Sequence, residues 1–339
     1  MPAITFPAER APHHDTKEET AVPPHVTACR PSLTTTVPKE FVHRAAVAEV
    51  MLTGWQRRDE HHFSVTAQWP RAHSFFTPSP DGLHDPLIAA ETIRQVGSLL
   101  AHAEYGVPLG HHFLMRHLEV AVDPGHLAVG PAPAALDLAV TATETTLRAG
   151  HLAHLRYEVT LRREGHTAAT GSASFNTATP AVYRRLRGRD DLTAIHPLPL
   201  TAPAPPHTVA RTSPTDVVLT PTPTPHHWQL RADTRHPVLF DHPVDHVPGM
   251  VLLEAARQAA AAAKRSATPP TRLHATFTHY VELDTPCHIH ATPHHHTPHP
   301  HTPHPHTPDG HTETIHVTGH QNTTEAFTCH ITTTPPTPH

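Results

Sequence analysis

The strongest constraint on what this chain can fold into is a stretch that occurs twice. The first copy reads Asp85-Pro-Leu-Ile-Ala-Ala-Glu91-Thr-Ile-Arg94-Gln95, the second Pro248-Gly-Met-Val-Leu-Leu-Glu254-Ala-Ala-Arg257-Gln258. Their offset of 163 residues also relates His73 to His236, each 18 residues before its glutamate. Proline near a helix start costs nothing, because its missing N–H would have no partner there. Asp85 is a good N-cap. Helix formers fill Leu87–Ala103 and Met250–Lys264. Tyr105-Gly106-Val107-Pro108 stops the first run and Thr268-Pro269-Pro270 the second. Both runs are apolar on nearly all sides, which predicts two buried helices. Spacing of three puts Glu91 beside Arg94 and Glu254 beside Arg257. A charged pair in so apolar a helix is costly unless its members satisfy each other or face a cavity. A structural ion pair is the plain reading. Its recurrence behind a Pro-containing helix start favours a site, and the repetition predicts a duplicated fold.

A length of 339 residues suits two domains of ordinary size. A net charge of −5, without a basic stripe carrying aromatics, gives no case for nucleic acid. Cys29, Cys287 and Cys329 are too few and scattered for a disulfide framework or thiolate metal site, so free thiols are expected. The N-terminus lacks the apolar core of a signal peptide. The longest apolar run, Gly249 to Ala263, is interrupted by Glu254 and Arg257 and is too short to span a bilayer. A soluble cytoplasmic protein without membrane partners is the expectation.

In chain order, residues 1–40 are polar and Pro-rich and read as a disordered tail. The first unit covers 41–180. Phe63, Val65 and Ala67 alternate with polar residues, as in a strand with one buried face. Strand-like segments follow the first helix at Phe113–Val122, Leu136–Thr143, Leu152–Leu161 and Ala168–Thr177, with a hairpin turn at Arg163-Glu164-Gly165-His166. One long helix against an antiparallel meander is an α+β layer arrangement. Residues 181–215, rich in Pro, Thr and Ala, read as a linker. The second unit, 216–335, repeats the plan, interrupted by a His/Pro/Thr repeat over 292–311. Proline excludes that segment from a sheet interior. It reads as an exposed low-complexity loop rather than a metal site, since it lacks the fixed pairing of folded ligands.

The segments Ser64–Phe75, Asp85–Gln95, Ala101–Gly110 and Phe240–Gln258 resemble the AfsA-type proteins, which make A-factor-like γ-butyrolactone autoregulators. The resemblance covers roughly residues 41–290, with several long motifs in the right order. It implies a tandem hotdog fold forming an intrachain pseudo-dimer, related to β-hydroxyacyl-carrier-protein dehydratases and acyl thioesterases. It also implies an acyltransferase that moves a β-ketoacyl group from acyl carrier protein (or acyl-CoA) to the hydroxyl of dihydroxyacetone phosphate. Such a transfer needs no metal and no redox cofactor.

The residues fit that chemistry. Backbone N–H groups opening a helix, near Gly249 and near Leu87, can hold the oxyanion formed at a thioester carbonyl. A carboxylate in an apolar tunnel is expected to have a raised pKa and act as general base, making Glu91 and Glu254 catalytic candidates. Arg94 and Arg257 suit the acceptor phosphate. With Gly249, Gln95 and Gln258 they form the substrate-binding set. His73 and His236 are acid/base candidates, although a lone His before a loop is more often a hydrogen-bonded structural group. His242 and His246 are other options in the second copy. In the dehydratases a His lies closer to the helix Glu, so the spacing here disfavours dehydration. A hotdog thioesterase or dehydratase, and a non-catalytic acyl-binding protein, are the alternatives. Arg184, Arg185, Arg187 and Arg189 could dock an acidic carrier protein or form a solvated connector. Trp69 and Met115 read as packing residues.

Overall fold

The computed structural model describes residues 34–188, 196–294 and 313–333. The described residues open with two 3-10 turns, Lys39–Val42 and Val47–Glu49, and then strands β1 (Leu52–Arg57) and β2 (His62–Trp69). Helix α1 (Pro86–Ala103) is followed by β3 (His112–Val122), β4 (Ala134–Arg148), β5 (His151–Arg163) and β6 (His166–Ala178). The short helix α2 (Pro180–Arg187) joins the halves. The second half repeats the order with β7 (Leu219–Pro221), β8 (His227–Leu230), α3 (Gly249–Lys264), β9 (Arg272–Phe277), β10 (Cys287–His294), β11 (Glu313–Gln321) and β12 (Thr324–Thr333).

All the strands form one 12-stranded sheet in the order β1-β2-β4-β5-β6-β3-β9-β12-β11-β10-β8-β7. Read outward from the centre, each half has the same order, and β3 pairs antiparallel with β9 across the junction. This is the tandem hotdog expected: two helices against one continuous antiparallel sheet.

Period-two patterning sets the register. Partners Phe63, Val140, Val159, Gly171, Val120, Leu273, Ile331 and Ile315 form one inward row across eight strands. Gly171 belongs in that row because a Cβ there would lie 2.5 Å from the Ile93 side chain of α1. On α1, every residue except Arg94 and Ala103 is buried. Gly97 lets the Tyr157 ring approach, and Tyr157 donates a hydrogen bond to the Ile93 carbonyl at 2.7 Å. The histidine bias settles on the opposite face of the sheet, at the junction and in the second half. There His117, His274, His330 and His316 follow one another across β3, β9, β12 and β11 as ring neighbours.

Some boundaries differ from expectation. Val37, placed in the tail by sequence, is buried, and its N–H bonds the Leu52 carbonyl. The stretch read as a linker contains α2 and the buried Ala204, Val209 and Arg211. Pro-rich composition hid these contacts, since no periodic face announces them. Strand β1 also went unrecognised, because Gly54, Trp55 and Gln56 give it no clean alternation. Most of the His/Pro/Thr repeat, together with Cys29 and Arg189, lies outside the described residues. Among the described residues, no helix is long and apolar enough to cross a membrane.

Candidate active site

Each copy of the repeated helix motif builds the same cluster from its own half. Glu91 is fully buried and held by two arginines. Arg94, one turn along α1, donates to both carboxylate oxygens at 2.8 and 2.7 Å. Arg44, from the segment before β1, donates from Nε at 3.0 Å and has Nη2 at 2.6 Å. Gln95 donates to Glu91 and the Glu49 carbonyl and accepts the Met51 N–H. In the second half Arg257 and Arg211 hold Glu254 through contacts of 2.6 to 2.9 Å. Gln258 there donates to Glu254 and the Asp216 carbonyl and accepts the Val218 N–H. The halves are cross-braced. Arg44 donates to the Val238 carbonyl of the second, and Arg211 to the Phe75 carbonyl of the first.

This geometry corrects three expectations. Burial works to raise both glutamates, but the paired guanidinium charges outweigh it and hold each carboxyl down at about 2. Each is therefore a held anion and not a carboxyl poised to take a proton at neutral pH. Gln95 and Gln258 tie the helices to the strand entrances instead of facing a ligand. His73 and His236 brace their loops: Nδ1 accepts from Phe75 and Phe76 in one copy and from Val238 and Leu239 in the other. Neither histidine lines the principal cavity.

That cavity, of about 280 Å³, lies between the halves. Phe113, Leu114, Met115, Phe175, Leu252 and Phe277 give it apolar walls, so Met115 is a wall residue and not simply core. Arg44 and Arg94 line it, as does Gly249 at the start of α3. The α3 start has no side-chain cap, whereas Asp85 caps α1 by accepting the Leu87 N–H at 2.9 Å. The Gly249 and Met250 N–H groups have no partner among the described residues. They are the free donors of a positive helix end.

Four histidines also line it, His43, His242, His246 and His279, and the bonds of two of them fix where the ring proton sits. The His246 Nδ1 lies 2.7 Å from Asp245, whose carboxylate also receives the Tyr183 hydroxyl and Arg187. Burial pushes Asp245 up, but the bonds from His246 and Tyr183 and the Arg187 charge hold it well below the carboxylate range. An ionised partner on Nδ1 places the proton there and leaves Nε2 with its lone pair. Among the described residues, Nε2 of His246 has no bonded partner. His43 is bonded Nε2 to Nε2 with His102 at 2.8 Å, while His102 Nδ1 meets the Val107 carbonyl. The carbonyl requires a proton on His102 Nδ1, so His43 donates from Nε2 and keeps its Nδ1 lone pair. Burial, reinforced by the Arg94 charge, lowers His43 to about 3 and keeps it neutral.

Residues 26–179 and 192–334 each match the AfsA family, the A-factor biosynthesis hotdog domain. The chain belongs to that family. A 2-oxo-3-(phosphooxy)propyl 3-oxoalkanoate synthase of Streptomyces virginiae is 53% identical, the match covering 89% of this chain and 98% of that protein. The synthase of the same name from Streptomyces coelicolor is 41% identical over 84% of this chain and 88% of its own length. Among solved structures, an acyl-ACP thioesterase from Bacteroides thetaiotaomicron is similar with a TM-score of 0.48 at 10% identity, covering 79% of this chain and 96% of that one. The hotdog assignment rests on the strand order and the family match.

Arg44 and Arg211 were missed as site residues because they sit in irregular segments outside the repeated motif. The available signal was the cost of a buried carboxylate, which calls for more positive charge than one arginine on a neighbouring turn.

Proposed function

We propose that the chain is a synthase of γ-butyrolactone precursors, joining a β-ketoacyl group to dihydroxyacetone phosphate. The name shared by its relatives describes such an ester: a 3-oxoalkanoate on a phosphorylated 2-oxopropyl alcohol. The observation that carries the reading is the cavity, which gathers an apolar wall, the two arginines that hold Glu91, an uncapped helix start and an Asp–His pair.

Each part has a step. The acyl chain lies along the apolar wall, with its thioester carbonyl at the Gly249 and Met250 N–H groups. Arg44 and Arg94, held in place by Glu91, take the acceptor phosphate. His246 removes the proton from the acceptor hydroxyl as that oxygen bonds to the carbonyl carbon. The tetrahedral oxyanion is held by the helix-start donors. Its collapse breaks the carbon–sulfur bond, and the thiolate takes the proton back from His246. The products are the ester and a free carrier thiol.

Mass spectrometry of a β-ketoacyl carrier protein, with and without dihydroxyacetone phosphate, tests this. Carrier deacylation with a new phosphorylated ester, only when acceptor is present, is the expected result. Deacylation without acceptor would instead be thioesterase activity, and carrier binding without turnover would leave an acyl-binding protein. Arg94→Lys keeps the charge but loses the planar fork. It should raise KM for dihydroxyacetone phosphate roughly 10- to 100-fold, the scale of one or two charge-assisted hydrogen bonds.

A further inference from the structure

Helix α2 packs on His246 and Tyr280 of the cavity lining, and its two faces differ sharply. Thr179 caps it by accepting the Val182 N–H, Pro180 occupies its first turn, and Gly188 closes it in the left-handed region. Spacing of four puts Tyr183 and Arg187 on the inner face, where both are buried. The Tyr183 ring stacks on His112 at 3.6 Å. Arg187 grips Glu282 through two bonds of 2.6 and 2.7 Å, reaches Asp245, and lies over the Tyr280 ring at 4.3 Å. Tyr280 and His246 line the cavity. The inner face of α2 is thus one side chain away from the site, and Arg187 is spent on anchoring.

The outer face is free. Arg184 and Arg185 are exposed and have no bonded partner among the described residues. Between them and the anchor, Leu186 is 58% exposed, unusual for a large apolar side chain on so short a helix. In a chain of net charge −5, α2 thus sets two exposed arginines and an exposed apolar side chain on a helix whose inner face packs on residues of the cavity lining.

We propose that the outer face of α2 is the docking surface for the carrier protein that delivers the acyl thioester. The surface commits to an acidic partner. Like charges would repel a basic one, and an acidic helix would meet Arg185 at the centre of the outer face with Arg184 and Leu186 to its two sides. The rigid anchor matters because α2 is fixed to Asp245, the partner of His246, so a docked carrier is held in register with the base. The inference rests on the acyl-transfer reading of the same cavity.

The test compares the protein with Arg184→Glu/Arg185→Glu, whose exposed sites leave the anchor untouched. Two donors are used: a β-ketoacyl acyl carrier protein, and the same acyl group on N-acetylcysteamine. The variant should raise KM for the carrier-bound donor about tenfold or more, mainly through slower association. It should leave turnover of the small thioester unchanged. Arg184→Lys/Arg185→Lys should restore carrier use, and the wild-type preference for carrier should weaken with salt. Equal behaviour of variant and wild type on both donors would overturn the proposal, as would equal losses on both. Carrier binding measured by fluorescence anisotropy separates the two readings. Binding abolished by the charge reversal, with no turnover of either donor, would keep the docking surface and sink the transferase. Binding unaffected by it would sink the docking surface.

Discussion

At Glu91, the guanidiniums of Arg44 and Arg94 reach into the cavity; at Glu254, the equivalent pair meets aromatic and acidic side chains. Arg211 stacks on the Phe75 ring at 4.2 Å and has Asp85 at 3.8 Å. Arg257 borders a gap of about 10 Å³, roughly the least that holds one water. The helix starts differ in the same sense. Where α3 opens with Pro248 and Gly249, α1 opens with Asp85 and Pro86, so its first N–H is missing and its second is capped. Duplication thus preserved the expensive part, the buried cluster, in both halves. It left the cheap parts, an open pocket and free helix donors, in one. The Asp245–His246 pair is likewise confined to the second half, where it serves the cavity facing Glu91. The constellation proposed above is therefore composite: arginines from the first half, helix start and His246 from the second.

The largest effect should come from breaking either cluster. Glu254→Leu leaves two buried guanidiniums without their carboxylate, which should cost about 3–5 kcal/mol in urea unfolding. Glu91→Leu should cost a similar amount. The difference should appear in turnover per folded molecule, retained in Glu254→Leu and lost in Glu91→Leu because Arg44 and Arg94 lose their alignment. If both lose turnover equally, the second cluster takes part in catalysis. Acid should strike both clusters together. Each glutamate is held down at about 2 from an ordinary 4.5. The stabilisation is thus complete above the unfolded pKa and is lost as pH falls from there toward 2. Each contributes on the order of 3 kcal/mol by linkage. A wild-type unfolding free energy that stays flat between pH 5 and 3 would contradict that.

A sharper test grafts one helix start onto the other. Pro248→Asp/Gly249→Pro copies the opening of α1 onto α3. Pro248 sits at ψ 146, in the extended region that a following proline requires. The helix should therefore survive, while one donor disappears and the next is capped. Loss of oxyanion donors of this kind lowers kcat by about 10²- to 10³-fold. Thermal unfolding near wild type, with kcat reduced to that extent and KM for acceptor little changed, is the expected result. An unchanged kcat would remove the helix start from the mechanism.

How much of this could be read from the chain depends on where repetition was visible. The two helices, their ion pairs and a duplicated fold follow from a motif that recurs at fixed spacing, and the hotdog order from the family resemblance. Arg44 and Arg211 do not share that spacing, because the segments before their helices differ in length. With one arginine apiece, the glutamates looked like bases; with two, they are anchored anions. His73 and His236 recur faithfully for a structural reason, each receiving two loop N–H groups, and recurrence alone cannot tell a brace from a base. His246 was harder to single out among 39 histidines, and only its adjacency to Asp245 and to Pro248-Gly249 marks it. Arg187 could not be told from Arg184 and Arg185 until α2 was seen to bury one face.

The smallest effect isolates what Asp85 does in the closed copy. It caps α1 through the Leu87 N–H and adds negative charge near Arg211. Asp85→Ala removes the cap, which should cost about 1 kcal/mol. It also removes one of the carboxylates facing Arg211, while the bonds from Glu254 persist. The freed Leu87 N–H would recreate one donor of the open copy, yet Phe75 would still lie over Arg211. Urea unfolding should therefore show the loss, with kcat and KM at their wild-type values. A gain of activity would mean that the cap alone silences the second site. A lack of change in stability would mean that water or Arg211 already satisfies the helix start. Either outcome would shift the asymmetry from the pocket to the helix end, whereas the expected result keeps Phe75 as the side chain that closes this copy.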